Sequence, residues 1–417
     1  MLAYAARNAT ARYAPRPFGS AEATVALRNM HHGQLSGRTP IYPFVIRLFM
    51  KIVGETYYLE AVTIFQSIVS FIAVVFFFRI CKLFSLNKQL TLILTYLYGL
   101  NTSIIGWDRA ILTESLALSL LMITFFYTFK FIKDCSARSA IIAVILVFVM
   151  IFERPSSIIY YIMISVFIII FCLINKIKKS NLIYGVMVAT CAVMLIYMTA
   201  FYHQYGVFSL TDAVPRQHLY VTIHHGYYTS SSDQKFIENV DMALRAHPDD
   251  KWATMVEVLN KYGNKEVTRL TNECYRKNMR AFIFDRIHQI YKDSSHDYIT
   301  NYLAYKDYDD CLPIKAMVYF NELFRINVKH TIIMFFIIIA LFFKDLINKR
   351  IKWICLGLFG SMFATLFVSY YGTCGEYPRT MVCLIPIFYV ALVYILNNTC
   401  SLNGIKDVIT FEDVRLC

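Results

Sequence analysis

The chain has 417 residues, of which 57% are hydrophobic and only 17% charged, with a formal net charge of +13 and a mean hydropathy of +0.49. Soluble proteins carry about 25% charged residues, and too little polar surface is present here to cover a water-soluble globule of this size. The positive balance would suit nucleic acid on a soluble protein, but most of it sits in short loops between apolar blocks, so nucleic acid is excluded as a partner.

In chain order, residues 1–57 read as an outer N-terminal segment ending in an interfacial helix. The opening residues 1–28 are rich in Ala and Arg, whereas the first Ile is Ile41 and the first Lys is Lys51. No hydrophobic stretch in the first forty residues could export this segment, so the composition reads as that of a chain whose first span has been lost or replaced. Nine apolar blocks follow, at about 58–80, 90–107, 111–132, 138–152, 157–175, 181–202, 331–346, 353–370 and 380–397. Blocks of ~20 apolar residues match the hydrocarbon core of a bilayer. The expected fold is an all-α polytopic membrane protein with about nine transmembrane helices. It divides into a six-span block (58–202), a mostly helical non-cytoplasmic domain (203–328), a three-span block (329–397) and a cytoplasmic tail (398–417).

Orientation follows from the basic residues. One set of turns holds Arg79, Lys82 and Lys88; Lys130, Lys133 and Arg138; Lys176, Lys178 and Lys179; and Lys344, Lys349, Arg350 and Lys352. The alternate short turns hold only Arg109, Arg154 and Arg379. By the positive-inside rule the first set is cytoplasmic, and the 203–328 domain and the segment before the first span face outward.

Four polar motifs fall on that outer face. They are Gly37-Arg38-Thr39-Pro40-Ile41-Tyr42-Pro43, Asp108-Arg109-Ala110-Ile111-Leu112-Thr113-Glu114-Ser115, Glu153-Arg154-Pro155-Ser156 and Glu376-Tyr377-Pro378-Arg379. Charge at membrane depth is costly and is paired or functional, although a lone Arg at a span end also snorkels to water. Guanidinium groups bind phosphate in bidentate fashion and keep their charge. Carboxylates beside them, here Asp108 and Glu114, accept protons or hold divalent metals. An outward site of this kind suits a lipid-linked phosphate substrate.

The series Arg-Thr-Pro-Ile-Tyr-Pro (38–43), Leu-Thr-Glu-Ser-Leu (112–116) and Glu-Arg-Pro-Ser (153–156) resembles bacterial GT-C glycosyltransferases, the superfamily of protein O-mannosyltransferases and lipid A aminoarabinose transferases. The resemblance covers roughly residues 35–200 and extends weakly to the last spans, where Arg379 precedes Pro386. It implies transfer of a sugar from a polyprenyl-phosphate donor to a cell-surface glycan, lipid or protein, at the periplasmic or extracellular face of a bacterial inner membrane. It places Arg38 and Tyr42 near the substrate, makes Arg109, Arg154 and Arg379 candidate phosphate contacts, and makes Glu114 the acid that binds the lipid phosphate or a divalent cation, Mg or Mn. The family's catalytic Asp, upstream of Arg-Thr-Pro, has no counterpart: Glu22 is the only acid before Arg38. Either Glu22 substitutes or the chain is inactive as written. A ligase or polymerase using a diphosphate-linked donor is the alternative enzyme, and a lipid-linked-sugar flippase the alternative from another class.

Other features read more plainly. His31-His32 and His224-His225 lack partners at metal-ligand spacing, and the Tyr and Phe abundance is that of lipid-facing and belt residues. Cys274, Cys311 and Cys374 all fall outside the cytoplasm, so no disulfide pairing is assigned. The Asn-x-Thr matches at Asn8 and Asn397 carry no weight.

Overall fold

The computed structural model describes residues 39–293, 326–347, 353–372 and 377–400, and every regular element among them is helical. Among the described residues six helical stretches are long and apolar enough to cross a membrane: 58–83, 88–109, 114–134, 155–175, 180–205 and 353–371. The protein is therefore a multi-pass membrane protein. Of the nine expected spans, six reach this measure among the described residues. The other three blocks do form helices, Ala137–Glu153, Val328–Ile347 and Leu384–Cys400. Two of these have only 17 residues, about 25 Å of helix and the short end of what reaches across a bilayer.

Helix α1 (Ile41–Val53) lies against α2 (Tyr58–Leu83), with Tyr42 and Ile46 packed into a small core with Val62, Ile111 and Leu116. Gly54 ends α1 at φ 81° and ψ 172°, a region open to glycine alone. The expected span at 90–107 is broken into α3 (Lys88–Gly99) and α4 (Thr102–Arg109). Asn101 caps α4 by accepting from the Ile104 amide and donates to the Tyr389 hydroxyl at 3.3 Å, while that hydroxyl donates to the Leu97 carbonyl at 2.9 Å. The backbone groups freed by the break are thus satisfied inside the protein, as lipid requires. Gly99 permits the close approach of Val74, whose Cγ1 would lie 3.2 Å from an added Cβ.

Helix α5 (Glu114–Asp134) is the centre of the bundle: 78% of its apolar window is buried. It packs against α2, against α6 (Ala137–Glu153) and against a late helix, Leu384–Cys400. After a 3-10 turn at Pro155–Ser157 come α7 (Ile158–Asn175) and α8 (Ser180–Tyr205), the latter peripheral, with 17% of its window buried.

The polar domain is built from α9 (Ala213–His224), α10 (Gln234–Ala246), α11 (Lys251–Lys277) and α12 (Met279–Asp293). Its own core holds Leu219, Ile223, Phe236, Val240, Met255, Val258 and Leu270. The chain returns through α13 (Val328–Ile347) and α14 (Trp353–Gly372), makes the short turn α15 (Tyr377–Thr380) and ends its described part in α16 (Leu384–Cys400). The domain meets the bundle at Tyr371 of α14, whose ring lies 5.5 Å from that of His218 and 6.1 Å from that of Phe282.

Candidate functional site at the end of the helix bundle

The α4–α5 junction, the α6–α7 junction, the start of α2 and the turn α15 come together at one end of the bundle. Local sequence explains how each delivers its side chain. Arg154 precedes a proline, which pushes the preceding residue out of the helical region; its φ and ψ are −140° and 107°. The break between α6 and α7 turns its guanidinium across the bundle end. Glu114 is the first residue of α5, where the positive end of the helix dipole favours a carboxylate.

These two meet Arg379 of α15. The Arg379 Nε donates to Glu114 Oε1 at 2.6 Å, and Arg154 Nη1 lies 3.4 Å from the same oxygen. The Glu114 side chain is 2% exposed, those of Arg154 and Arg379 9% and 15%. Arg154 also donates to the carbonyls of Arg379 and Thr380, each at 3.3 Å, and to Ser156 Oγ at 3.2 Å. A carboxylate that accepts from one guanidinium and faces another is a charge-assisted cluster of the strong kind.

A second layer fixes the surroundings. Thr39 Oγ1 donates to the Glu153 carbonyl at 3.1 Å. Tyr42 donates to Gln66 Oε1 at 2.9 Å, and Gln66 Nε2 donates to the Ala110 carbonyl at 2.9 Å, tying α1, α2 and the α4–α5 junction together. Ser115 Oγ donates to Asp108 Oδ1 at 2.7 Å. Burial pushes the Tyr42 phenol well above its ordinary range, and the negative charges of Glu153 and then Glu114 add to the shift.

Glu153 is the residue that sequence reasoning passed over. Its side chain is 1% exposed, and neither carboxyl oxygen has a hydrogen-bond partner among the described residues. The signal available in the sequence is the motif Glu-Arg-Pro-Ser, which sets this acid directly before Arg154. A buried carboxyl without donors is costly unless it is protonated or meets a ligand that donates to it.

Of the expected site residues, Glu114, Arg154 and Arg379 are brought into contact, and Tyr42 stands close enough for their acids to act on it. Asp108 is buried beside Ser115, six residues before Glu114 in sequence. The acids acting on the Arg109 guanidinium are Glu60 and Asp108. Glu22, Arg38 and Glu376 lie outside the described residues, as do His31, His32, Cys311 and Cys374. His225 pairs with Asp285 at 3.1 Å. No group of three or more His, Cys, Asp or Glu side chains among the described residues is placed to hold a metal ion. Glu114 itself is engaged by two guanidinium groups, whose charge repels a divalent cation, so the surroundings of this residue do not fit the Mg or Mn ligand role.

No protein-family model, curated protein or solved structure matches this chain.

Proposed function

We propose that this protein is a membrane glycosyltransferase of the GT-C type, moving a sugar from a polyprenyl-phosphate donor to a cell-surface glycan, lipid or protein at the outer face of a bacterial inner membrane. The observation that carries the reading is the convergence of Arg154 and Arg379 on Glu114 beside the buried carboxyl of Glu153, which has no hydrogen-bond partner among the described residues, at the end of a bundle of apolar helices. Two guanidiniums buried at the end of membrane-crossing helices suit a phosphate whose lipid tail stays in the bilayer.

In this reading the acceptor hydroxyl oxygen attacks the anomeric carbon. The bond from that carbon to the phosphate oxygen breaks, and its electron pair leaves on the phosphate, where Arg154 and Arg379 stabilise the charge. The hydroxyl proton passes to Glu153 in its ionised form, within the same buried cluster. Glu114 holds the arginines in place and is not the base, because two cations already stabilise its charge. Asp108, held by Ser115, supports the α4–α5 junction.

The test uses the full chain reconstituted in vesicles, with undecaprenyl phosphate as the binding probe and a panel of polyprenyl-phosphate sugars as donors. Replacing both arginines by Gln is expected to abolish binding of the probe. Glu153→Gln is expected to keep binding and to lose transfer by about 10²–10⁴, the usual weight of a positioned base. Undiminished binding without the arginines would remove the phosphate site, and full transfer by Glu153→Gln would remove the assigned base. Reporter fusions within 206–290 that signal from the cytoplasm would overturn the sidedness.

A further inference from the structure

The extramembrane domain ends on a helix with two unlike faces. One face of α12 packs on the protein: Phe282 and Arg286 are buried, Arg286 lies over the Phe282 ring at 4.8 Å, and Ile290 packs against the core of the bundle. The other face is apolar and exposed, with Met279, Ile283, Phe284, Ile287 and Tyr291 all uncovered, Phe284 to 72% and Tyr291 to 77%. At 3.6 residues per turn Ile283, Ile287, Tyr291 and Phe284 fall within one sector of about 100°, and Met279 lies about 40° to the side of it, beyond Ile290. Arg280 lies inside the sector, and the exposed His288 and Lys292 lie about 40° and about 80° outside its edge.

The position of this helix says what the face meets. Phe282 abuts Tyr371 in the last turn of α14, one of the helices long and apolar enough to cross a membrane. The exposed rings of α14 form a continuous ladder along that span, Phe363 to Phe367 at 6.2 Å and Phe367 to Tyr371 at 5.5 Å. The contact made by Phe282 therefore sets α12 at the end of the exposed ring stripe of a span. Cations on and beside an apolar helix face complement the phosphates of an anionic bilayer surface.

We propose that α12 lies in the plane of the membrane surface, with Ile283, Phe284, Ile287 and Tyr291 sunk to the boundary of headgroups and acyl chains and with Arg280 against lipid phosphate. The polar domain is then anchored twice, by the chain and by this helix, which holds it down beside the bundle end. The other ways to cover such a face are residues 294–325 of this chain or a second copy, and the experiment separates them.

The full chain carrying Phe284→Trp, a conservative change at an exposed position, is reconstituted in vesicles of phosphatidylethanolamine and phosphatidylglycerol. Part of the lipid carries bromine either near the glycerol end or near the methyl end of its acyl chains. Emission of the wild type, from Trp107, Trp252 and Trp353, is subtracted, and Met242→Trp on α10, another exposed apolar position, is the control. The added Trp at 284 is expected to emit in the blue, with about twofold or greater quenching by bromine near the glycerol end, less by bromine near the methyl end, and none at position 242. Water-like emission without quenching would overturn the proposal. Blue emission without quenching would do so as well, because it would mean that protein covers the face.

Discussion

Two arginine–glutamate pairs in this molecule have the same bond length and opposite surroundings. At the bundle end, Arg379 meets Glu114 at 2.6 Å with side chains 15% and 2% exposed. In the extramembrane domain, Arg269 meets Glu266 at 2.6 Å with side chains 57% and 40% exposed. Geometry alone would rank them equal. Water separates them: exposed pairs gain ~0–1 kcal/mol because solvent already satisfies both charges, whereas a buried partner that loses its mate is left uncompensated. The bundle end also joins three chain segments far apart in sequence, while the exterior pair staples a single turn of one helix. The same chemistry serves in one place to hold an architecture together and in the other to decorate a surface.

The largest expected effect breaks the inner pair. Glu114→Ala leaves Arg154 and Arg379 facing each other without their carboxylate, and a cost of about 3–5 kcal/mol is expected. Thermal unfolding in detergent measures it. Arg379→Ala should cost less, since Arg154 still faces Glu114. If both variants melted with the wild type, water would have to reach the cluster, and the contrast with the outer pair would disappear.

The next effect lies at the seam between the two regions. His218 is buried against the rings of Tyr275 and Tyr371, at 5.0 and 5.5 Å, and burial pushes its pKa down to about 4. The unfolded imidazole titrates near 6.5. The folded state therefore binds the proton less readily, so its stability is complete above pH ~6.5, declines as the pH falls toward 4, and changes no further below that. About 3 kcal/mol is at stake across this window. His218→Phe should flatten the pH dependence of unfolding between pH 6.5 and 4. An acid sensitivity unchanged in that variant would shift the effect to other groups.

How much of this was legible in the sequence differs between the same regions. The apolar blocks marked where helices run, and the scarcity of basic residues in alternate turns marked Arg154 and Arg379 as sharing an end with Glu114. Sequence position tells at which end of a helix a residue lies, but not toward which neighbour it points. Sequence therefore groups Arg109 with the others, although the acids acting on it are Glu60 and Asp108, and gives no sign that Glu153, one residue from Arg154, points inward. The break at Leu100–Asn101 was hidden because an Asn cap and a distant Tyr389 hydroxyl replace the missing helical bonds. The exposed sector of α12 was readable as amphipathic helix, but which side meets the bundle depends on Tyr371, which is distant in sequence.

The smallest expected effect completes the comparison. Glu266→Gln removes the charge from the outer pair but keeps the shape and leaves an amide that still accepts from Arg269. Both side chains reach bulk water, so the loss of one charge exchanges one solvated arrangement for another. The midpoint of thermal unfolding should stay within measurement error of the wild type, at low and at high salt alike. A drop at low salt that vanished when salt was added would instead reveal a field extending beyond the pair, since added ions screen exposed charges over ~10 Å and less. Lys277 and Glu273, 2.7 Å apart on the same helix, would be the first place to seek its source. Such a result would mean that the surface charges of α11 act as a network rather than as separate staples, and the line drawn between the two regions would have to move outward.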